Sequence, residues 1–204
     1  MTMVTQAQRN RAIPRAQLQA RIGRAAVSLF RESGFDAVSV DQIVARAGVS
    51  KGAFFNFFPT KADALLVYFH DLDRQIDGRR DRLDAARPLE SLEKFFVEAE
   101  ALLRREGSLL EVLARAIWSH PTLLKADRVS AREDRRAFAH FFERARAAGK
   151  ITVADPAVAA DAVGDLWTGS ILMWLGAGRS YSFAESVRPK LRLLFNGLRP
   201  RKKT

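Results

Sequence analysis

The chain has 204 residues, of which 48% are hydrophobic and 28% are charged. This balance supports a folded core and excludes a fibrous or fully disordered chain. There is no cysteine, which excludes disulfides, cysteine-ligated zinc and thiol catalysis. The first residues lack the apolar run of a signal peptide, and no stretch approaches the roughly 18 apolar residues of a membrane span. We therefore expect a cytoplasmic protein without membrane association.

The charge is strongly positive and concentrated near the amino terminus. The chain carries 34 basic and 23 acidic residues, a net charge of +11. Residues 1–61 hold nine basic and three acidic residues, and no acid precedes Glu32. A polyanionic partner such as nucleic acid explains this excess, but an arginine-rich solvated surface would produce the same balance.

Apolar residues recur at spacings of three and four, whereas the sustained alternation typical of strands is missing. The sequence therefore predicts an all-α fold of about nine helices. The first helix follows Pro14 and ends near Gly34. After the third helix, a capping box at Thr60 begins the fourth, and Pro189 is expected to kink the last helix or delay its start. The helices beyond the third are predicted over residues 61–85, 89–106, 109–119, 122–147, 156–176 and 183–198.

Two short helices separated by a glycine follow the basic first helix. The sequence S-V-D-Q from Ser39 is a capping box that predicts a second helix over Val40 to Ala47. Gly48 supplies the turn, and Ser50 caps a third helix predicted to end at Phe58. This is the form of a helix-turn-helix, in which one short helix enters the major groove of DNA.

The predicted third helix has a core side and an outward side. Phe54 and Phe58 share one face, and Phe55 beside them is interpreted as core. The opposite side is small or polar, flanked by Phe57, and consists of Gly52, Ala53 and Asn56. Helix-turn-helix folds also occur in proteins that bind no DNA. The alternative is therefore a helical ligand-binding protein with little or no specific DNA binding.

Residues 39–65, from S-V-D-Q-I-V-A-R-A-G-V-S through K-G-A-F-F-N-F-F-P-T-K-A-D-A-L, closely resemble the amino-terminal domain of the TetR family of transcriptional regulators. The similarity covers about residues 15–65. It implies a DNA-binding domain at residues 1–61 and a helical effector-binding and dimerisation domain at residues 62–204. It also implies a homodimer that binds a double-stranded operator and is released from it, as a repressor, by a small effector.

The resemblance assigns DNA contacts residue by residue. They fall at the start of the second helix, on the start of the third, and at a phosphate-binding position that begins the fourth. Together with the capping serine and the outward polar residues, the predicted contacts are Ser39, Val40, Ser50, Lys51, Gly52, Ala53, Asn56, Phe57, Thr60 and Lys61.

This chain departs from the family at three of its positions. The family often has Tyr where this chain has Phe55, and commonly His or Tyr where it has Phe57. The hydroxyl or imidazole groups expected at these two positions are therefore missing. Asn56, Thr60, Lys61 and the arginine-rich arm are expected to supply more of the binding, with Phe57 on a thymine methyl. Asp41 would oppose a nearby phosphate, but it also suits a helix N-terminus.

The last two predicted helices carry broad apolar faces. Repeated about a two-fold axis, they would form a four-helix interface, whereas a monomer would bury the same faces within one subunit. Aromatic residues of the middle helices, with one serine, are candidates for an apolar effector pocket: Trp118, Phe138, Phe141, Trp167 and Ser170. Few acids lie among them, which favours a neutral or anionic hydrophobic effector. No motif for catalysis, a metal or a cofactor is found, so we expect a protein that is not an enzyme.

Overall fold

The computed structural model of the protein describes residues 14–197. Over this range the chain forms nine α-helices, one short 3-10 turn at Ala62–Ala64 and no strand, which confirms the predicted all-α class. The helices are α1 (Arg15–Ser33), α2 (Val40–Ala47), α3 (Lys51–Phe55), α4 (Leu65–Arg80), α5 (Pro88–Arg105), α6 (Ser108–Ser119), α7 (Pro121–Ala147), α8 (Pro156–Gly176) and α9 (Phe183–Asn196).

The chain divides into two compact units, Met1–Phe69 and His70–Thr204. The sequence-based domain boundary after residue 61 lies earlier and stays a prediction. The basic arm before Pro14 and the carboxy-terminal R-P-R-K-K-T lie outside the described residues.

In the first unit, α1, α2 and α3 surround a small apolar core. The buried side chains include Ile22, Phe30, Ile43 and Phe54, which come from all three helices. Gly23 allows α1 to approach α4 closely, because a Cβ at this position would overlap the side chain of Val67. The core thereby fixes the helix-turn-helix against α1.

In the second unit, α5 packs on α9, α7 packs on α6 and α8, and α8 packs on α9. The interior is rich in aromatic rings, among them Phe95, Phe96, Phe141, Trp174 and Phe183. Several edge-to-face contacts join them, such as Trp174 with Phe183 at 5.1 Å between ring centroids. Such arrangements add to the stabilisation from apolar burial.

Two predicted helix bounds are wrong. The third helix ends at Phe55 rather than Phe58, since the N–H of Phe57 bonds to Phe54 O in a tight turn before Pro59. The fourth α-helix begins at Leu65, after the 3-10 turn, and ends at Arg80. The last helix begins at Phe183, as predicted, and continues through Pro189, so of the two effects expected of Pro189 the late start is excluded.

Candidate nucleic-acid interface and effector unit

Local hydrogen bonds begin α2 as the sequence predicts. The N–H of Gln42 donates to Ser39 Oγ at 3.2 Å, and the N–H of Ser39 donates to Gln42 Oε1 at 2.7 Å. This reciprocal pair satisfies two N–H groups that the helix itself leaves without acceptors. Ser39 remains exposed and Val40 is half-buried at the start of the helix.

The turn between α2 and α3 depends on Gly48. Its φ of 63° and ψ of 45° lie in the left-handed region that favours glycine. Beyond it, Ser50 Oγ accepts from the N–H of Ala53 at 3.2 Å and caps α3. These contacts set the direction in which α3 leaves the turn.

The two faces of α3 differ as predicted, with one correction. Phe54 and Phe58 are fully buried, with ring centroids 5.5 Å apart. Phe55 is 45% exposed, so its interpretation as a core residue is wrong. In the five-residue α3, Phe54 is the side chain that the core accommodates. The ring of Phe55 lies outside the core and meets the Phe54 ring edge-on, with 5.4 Å between the ring centroids.

The predicted contact residues on and after α3 lie mostly on the surface. Lys51, Gly52 and Asn56 are exposed, while Ala53 and Phe57 are half-buried. Gly52 leaves open space where a side chain would stand, with only Ser50 Oγ near an added Cβ. A surface with so little side-chain bulk allows close approach to a large partner.

Lys51 is already paired within the protein. Its Nζ lies 3.0 Å from Asp41 Oδ1, and both side chains are more than half exposed. Asp41 stands in the first turn of α2, where a negative charge also suits the helix N-terminus. Asp41, at which this chain departs from the family, therefore neutralises Lys51 at the start of α3.

Lys61 contacts the protein backbone. Its ammonium donates to the carbonyls of Phe35 at 2.7 Å and Val38 at 2.9 Å, and it lies over the Phe35 ring. These bonds use two of the three donors of the ammonium group. Lys61 thus holds the loop between α1 and α2, a role that the sequence does not reveal.

Thr60 is engaged in a second capping box. Its N–H and its hydroxyl both donate to Asp63 Oδ2, at 2.8 Å and 2.7 Å, and the N–H of Asp63 returns a bond to Thr60 Oγ1. The predicted capping box at Thr60 is therefore confirmed. It opens a 3-10 turn before α4 instead of the α-helix itself.

An ion pair joins α1 to α2. The two terminal nitrogens of Arg46 donate to the two carboxylate oxygens of Glu32, at 3.0 Å and 2.9 Å. Hydrogen bonds from Arg46 and from Ser28 lower the pKa of Glu32 to about 2. This bidentate geometry fixes how the two side chains meet.

In the second unit, Trp167 is the centre of an aromatic cluster. Its ring lies 5.5 Å from Phe95, 5.9 Å from Phe96 and 6.3 Å from Phe183. Phe138 joins the cluster through Phe95 at 5.7 Å. Two of the five predicted pocket residues, Phe138 and Trp167, are therefore brought together around one set of rings.

The other three predicted pocket residues differ in their surroundings. Phe141 is buried and pairs with Phe142. Trp118 is 64% exposed, at the end of α6. Ser170 is 5% exposed, and its Oγ has no hydrogen-bond partner in the part of the chain that the structure describes. A buried hydroxyl without a partner is unusual in a folded protein.

Glu100 is a buried acid that no pattern in the sequence predicts. Its carboxylate accepts from Ser182 Oγ and from the N–H of Ala184, and it pairs with Arg104. Burial opposes ionisation, but the bonds from Ala184, Ser182 and Arg104 outweigh it and lower the pKa of Glu100. The charge of Glu100 is thus satisfied by the start of α9.

A second acidic group lies between α4 and α7. Asp73 accepts from Ser130 at 2.6 Å, and the buried Arg80 contacts Asp77 and Asp134. Burial raises the pKa of Asp77, although Arg80 opposes the rise. Burial and the charge of Asp73 also raise the pKa of Asp127. The facing surfaces of α4 and α7 therefore carry several acids around the buried Arg80.

Within residues 14–197 no group of three or more histidine, cysteine or acidic side chains is arranged to hold a metal ion. In the same range, no helix has the length and apolar character needed to cross a membrane.

The geometry of α2, Gly48 and α3 is that of a helix-turn-helix, which defines a class of DNA-binding proteins. Residues 22–67 match the family model for bacterial regulatory proteins of the tetR family. The chain is 31% identical over 158 residues to the transcriptional regulator AcuR of Cereibacter sphaeroides, covering 73% of this chain and 72% of that protein. The chain belongs to the TetR family of bacterial transcriptional regulators.

Two further similarities extend beyond the helix-turn-helix. The HTH-type transcriptional repressor KstR of Rhodococcus jostii is 26% identical over 157 residues, covering 76% of this chain and 71% of that protein. The crystal structure of Thermus thermophilus FadR, a TetR family transcriptional repressor in complex with lauroyl-CoA, has a TM-score of 0.71 and 28% identity. That match covers 91% of this chain and 97% of FadR. These relatives favour a DNA-binding regulator over the alternative of a ligand-binding protein without specific DNA binding.

Proposed function

We propose that this protein is a cytoplasmic, non-catalytic repressor that binds its operator as a homodimer and is released by a hydrophobic effector. The observation that carries the proposal is the short α3, held to the core by Phe54 and Phe58, with Lys51, Gly52 and Asn56 on its exposed side. One such helix contacts only a few base pairs, so specific binding requires two copies on two half-sites.

We assign different tasks to the proposed DNA contacts. Ser39, Val40, Thr60 and Lys61 approach the phosphate backbone, where they position the protein without distinguishing sequence. Lys61 keeps one donor beyond its two backbone bonds for this purpose. The groove-facing residues are Ser50, Lys51, Gly52, Ala53, Asn56 and Phe57. Among them, Asn56 has the side chain that pairs with adenine through two hydrogen bonds.

We place the dimer interface on α8 and α9. Met173 is 70% exposed, and Leu172 and Val158 on the same helix are also exposed. On α9, Leu193 and Leu194 are exposed as well. Large apolar side chains grouped on two neighbouring helices are typical of a surface that a partner covers. A second copy of the chain would cover them with its own α8 and α9.

We propose a long-chain acyl-CoA thioester as the effector class. FadR of Thermus thermophilus binds lauroyl-CoA, and the aromatic cluster around Trp167 offers an apolar environment for an acyl chain. On α8, Ser170 lies one turn from both Trp167 and Trp174, and its buried hydroxyl can donate to the thioester carbonyl.

Thermal melting with and without lauroyl-CoA tests this assignment of Ser170. Ser170→Val should lower the apparent affinity for lauroyl-CoA about tenfold, because a buried hydrogen bond is lost. A higher concentration of lauroyl-CoA is then needed for the same rise in melting temperature. Thr168→Val, an exposed position two residues away, is the matched control and should respond as the wild type does. Equal responses of both variants would remove Ser170 from the effector site.

The DNA-binding proposal is tested by selecting bound sequences from a random duplex pool. We expect a pseudo-palindromic site bound by a dimer or a pair of dimers. Analytical ultracentrifugation should find the free protein as a dimer at micromolar concentration. Sequence-independent binding, or a monomer at that concentration, would contradict the proposal.

A further inference from the structure

The first residue of α1 contacts the turn after α3. The guanidinium of Arg15 lies over the ring of Phe57, with its carbon 5.0 Å from the ring centroid. This distance falls within the range of about 6 Å in which a cation is attracted to an aromatic face. The contact places an arginine against the residue that follows the exposed Asn56, on the surface proposed for DNA.

The charge of Arg15 has no carboxylate partner among residues 14–197. In the same unit, Arg46 pairs with Glu32 and Lys51 pairs with Asp41. A guanidinium stacked on a ring keeps its N–H donors available at its edge, where they match two oxygens of a phosphate. Arg15 is therefore positioned by Phe57, and no carboxylate of the described residues neutralises it.

Phe57 is suited to hold this arginine. The ring is half-buried and neighbours the buried Phe58, with 6.5 Å between centroids. It has no polar atom with which to contact a phosphate directly. The guanidinium of Arg15 already covers a face of the Phe57 ring that could otherwise pack on a thymine methyl.

We propose that Arg15 is a phosphate-binding residue of the DNA surface and that Phe57 is its positioning residue. This inference rests on the proposed function, because it assumes specific duplex binding. It replaces the predicted contact between Phe57 and a thymine methyl. Arg15 of α1 thereby supplies the polar group that the Phe57 side chain lacks.

The test measures binding of the full chain to its selected duplex by fluorescence anisotropy over a range of salt concentrations. Arg15→Gln should weaken binding about tenfold, as the loss of a charged hydrogen bond does. It should also lower the slope of log affinity against log salt by about one, as a lost phosphate contact does. Arg132→Gln removes an exposed charge from the other unit and should leave that slope unchanged.

Phe57→Leu keeps an apolar side chain but removes the aromatic face. We expect it to lower the salt slope in the same direction as Arg15→Gln and to leave base preference at every position unchanged. The double variant should bind no more weakly than Arg15→Gln alone. A thermal melt of each variant checks folding, and Arg15→Gln, at an exposed position, decides the phosphate contact even if Phe57→Leu unfolds.

Specific binding with an unchanged slope for Arg15→Gln would overturn the inference. So would additive losses in the double variant, or a change in A·T preference for Phe57→Leu without a change of slope. Failure of the proposed function has a different result. In that case the wild type itself would not distinguish the selected duplex from a scrambled one.

Discussion

Asp41 and Lys51 form an ion pair, 3.0 Å between Oδ1 and Nζ, that joins the first turn of α2 to the first turn of α3. The pair neutralises a cation on the surface proposed for DNA. Asp41→Asn should therefore strengthen binding to operator and unrelated DNA alike, roughly two- to fivefold, since an exposed pair is worth up to about 1 kcal/mol. Anisotropy titrations with both duplexes measure the change.

The ratio between the two affinities is the informative quantity for Asp41→Asn. We expect it to stay unchanged, because removing the negative charge of Asp41 strengthens the attraction to phosphates of any sequence. Glu90→Gln removes an equally exposed acid from α5 and serves as the control. Weaker binding by Asp41→Asn would mean that the ion pair holds Lys51 in its binding position.

Gly23 and Gly78 have different surroundings, so their replacement by alanine should have opposite effects on stability. Gly23→Ala places a Cβ within the side chain of Val67 and should destabilise the protein by about 1 to 3 kcal/mol. Gly78→Ala, on α4 with open space around it, should stabilise by about 0.5 to 1 kcal/mol. Denaturant unfolding measures both. Restoration of stability by Val67→Ala in the Gly23→Ala background would confirm the overlap as the cause.

Phe54 and Phe55 are neighbours with different roles in stability. Phe54→Ala should cost about 3 to 5 kcal/mol of unfolding free energy, because it leaves a cavity beneath α3. Phe55→Ala, at an exposed ring, should cost less than about 1 kcal/mol. Equal costs in denaturant unfolding would contradict the placement of Phe55 on the surface.

The ion pair of Glu32 and Arg46 makes part of the stability dependent on pH. The pKa of Glu32 is lowered from 4.5 to about 2, so the folded protein favours the ionised carboxylate. Its contribution is present above about pH 4.5 and is lost as the pH falls toward 2. Melting temperatures of the wild type and Glu32→Gln should differ most above pH 4.5 and converge near pH 2. A constant difference over this range would exclude the ion pair as its source.

Local signals in the sequence predicted the parts of the fold that depend on near neighbours. The capping box of Ser39 and Gln42 and the left-handed Gly48 lie within one turn of the helix that they begin or end. For this reason α2 was predicted with its correct bounds. The early end of α3 was missed, because it depends on a competition between helix continuation and the turn before Pro59.

Contacts between distant parts of the chain could not be predicted in this way. Lys61 binds the carbonyls of Phe35 and Val38, and Glu100 binds the start of α9. Neither pairing leaves a pattern at a fixed spacing in the sequence. The stacking of Arg15 on Phe57 is of the same kind, although the missing polar tip of Phe57 did mark the position as unusual.

The function proposed for this protein is that of an operator-binding repressor released by an acyl thioester. Its most direct test is a titration of lauroyl-CoA into the complex of the full chain with its selected duplex, followed by fluorescence anisotropy. We predict that the anisotropy falls to that of free DNA with lauroyl-CoA, while equal concentrations of coenzyme A leave it unchanged. If a thermal shift shows that lauroyl-CoA binds the protein, a complex with DNA that stays intact at saturating lauroyl-CoA would contradict release by an acyl thioester.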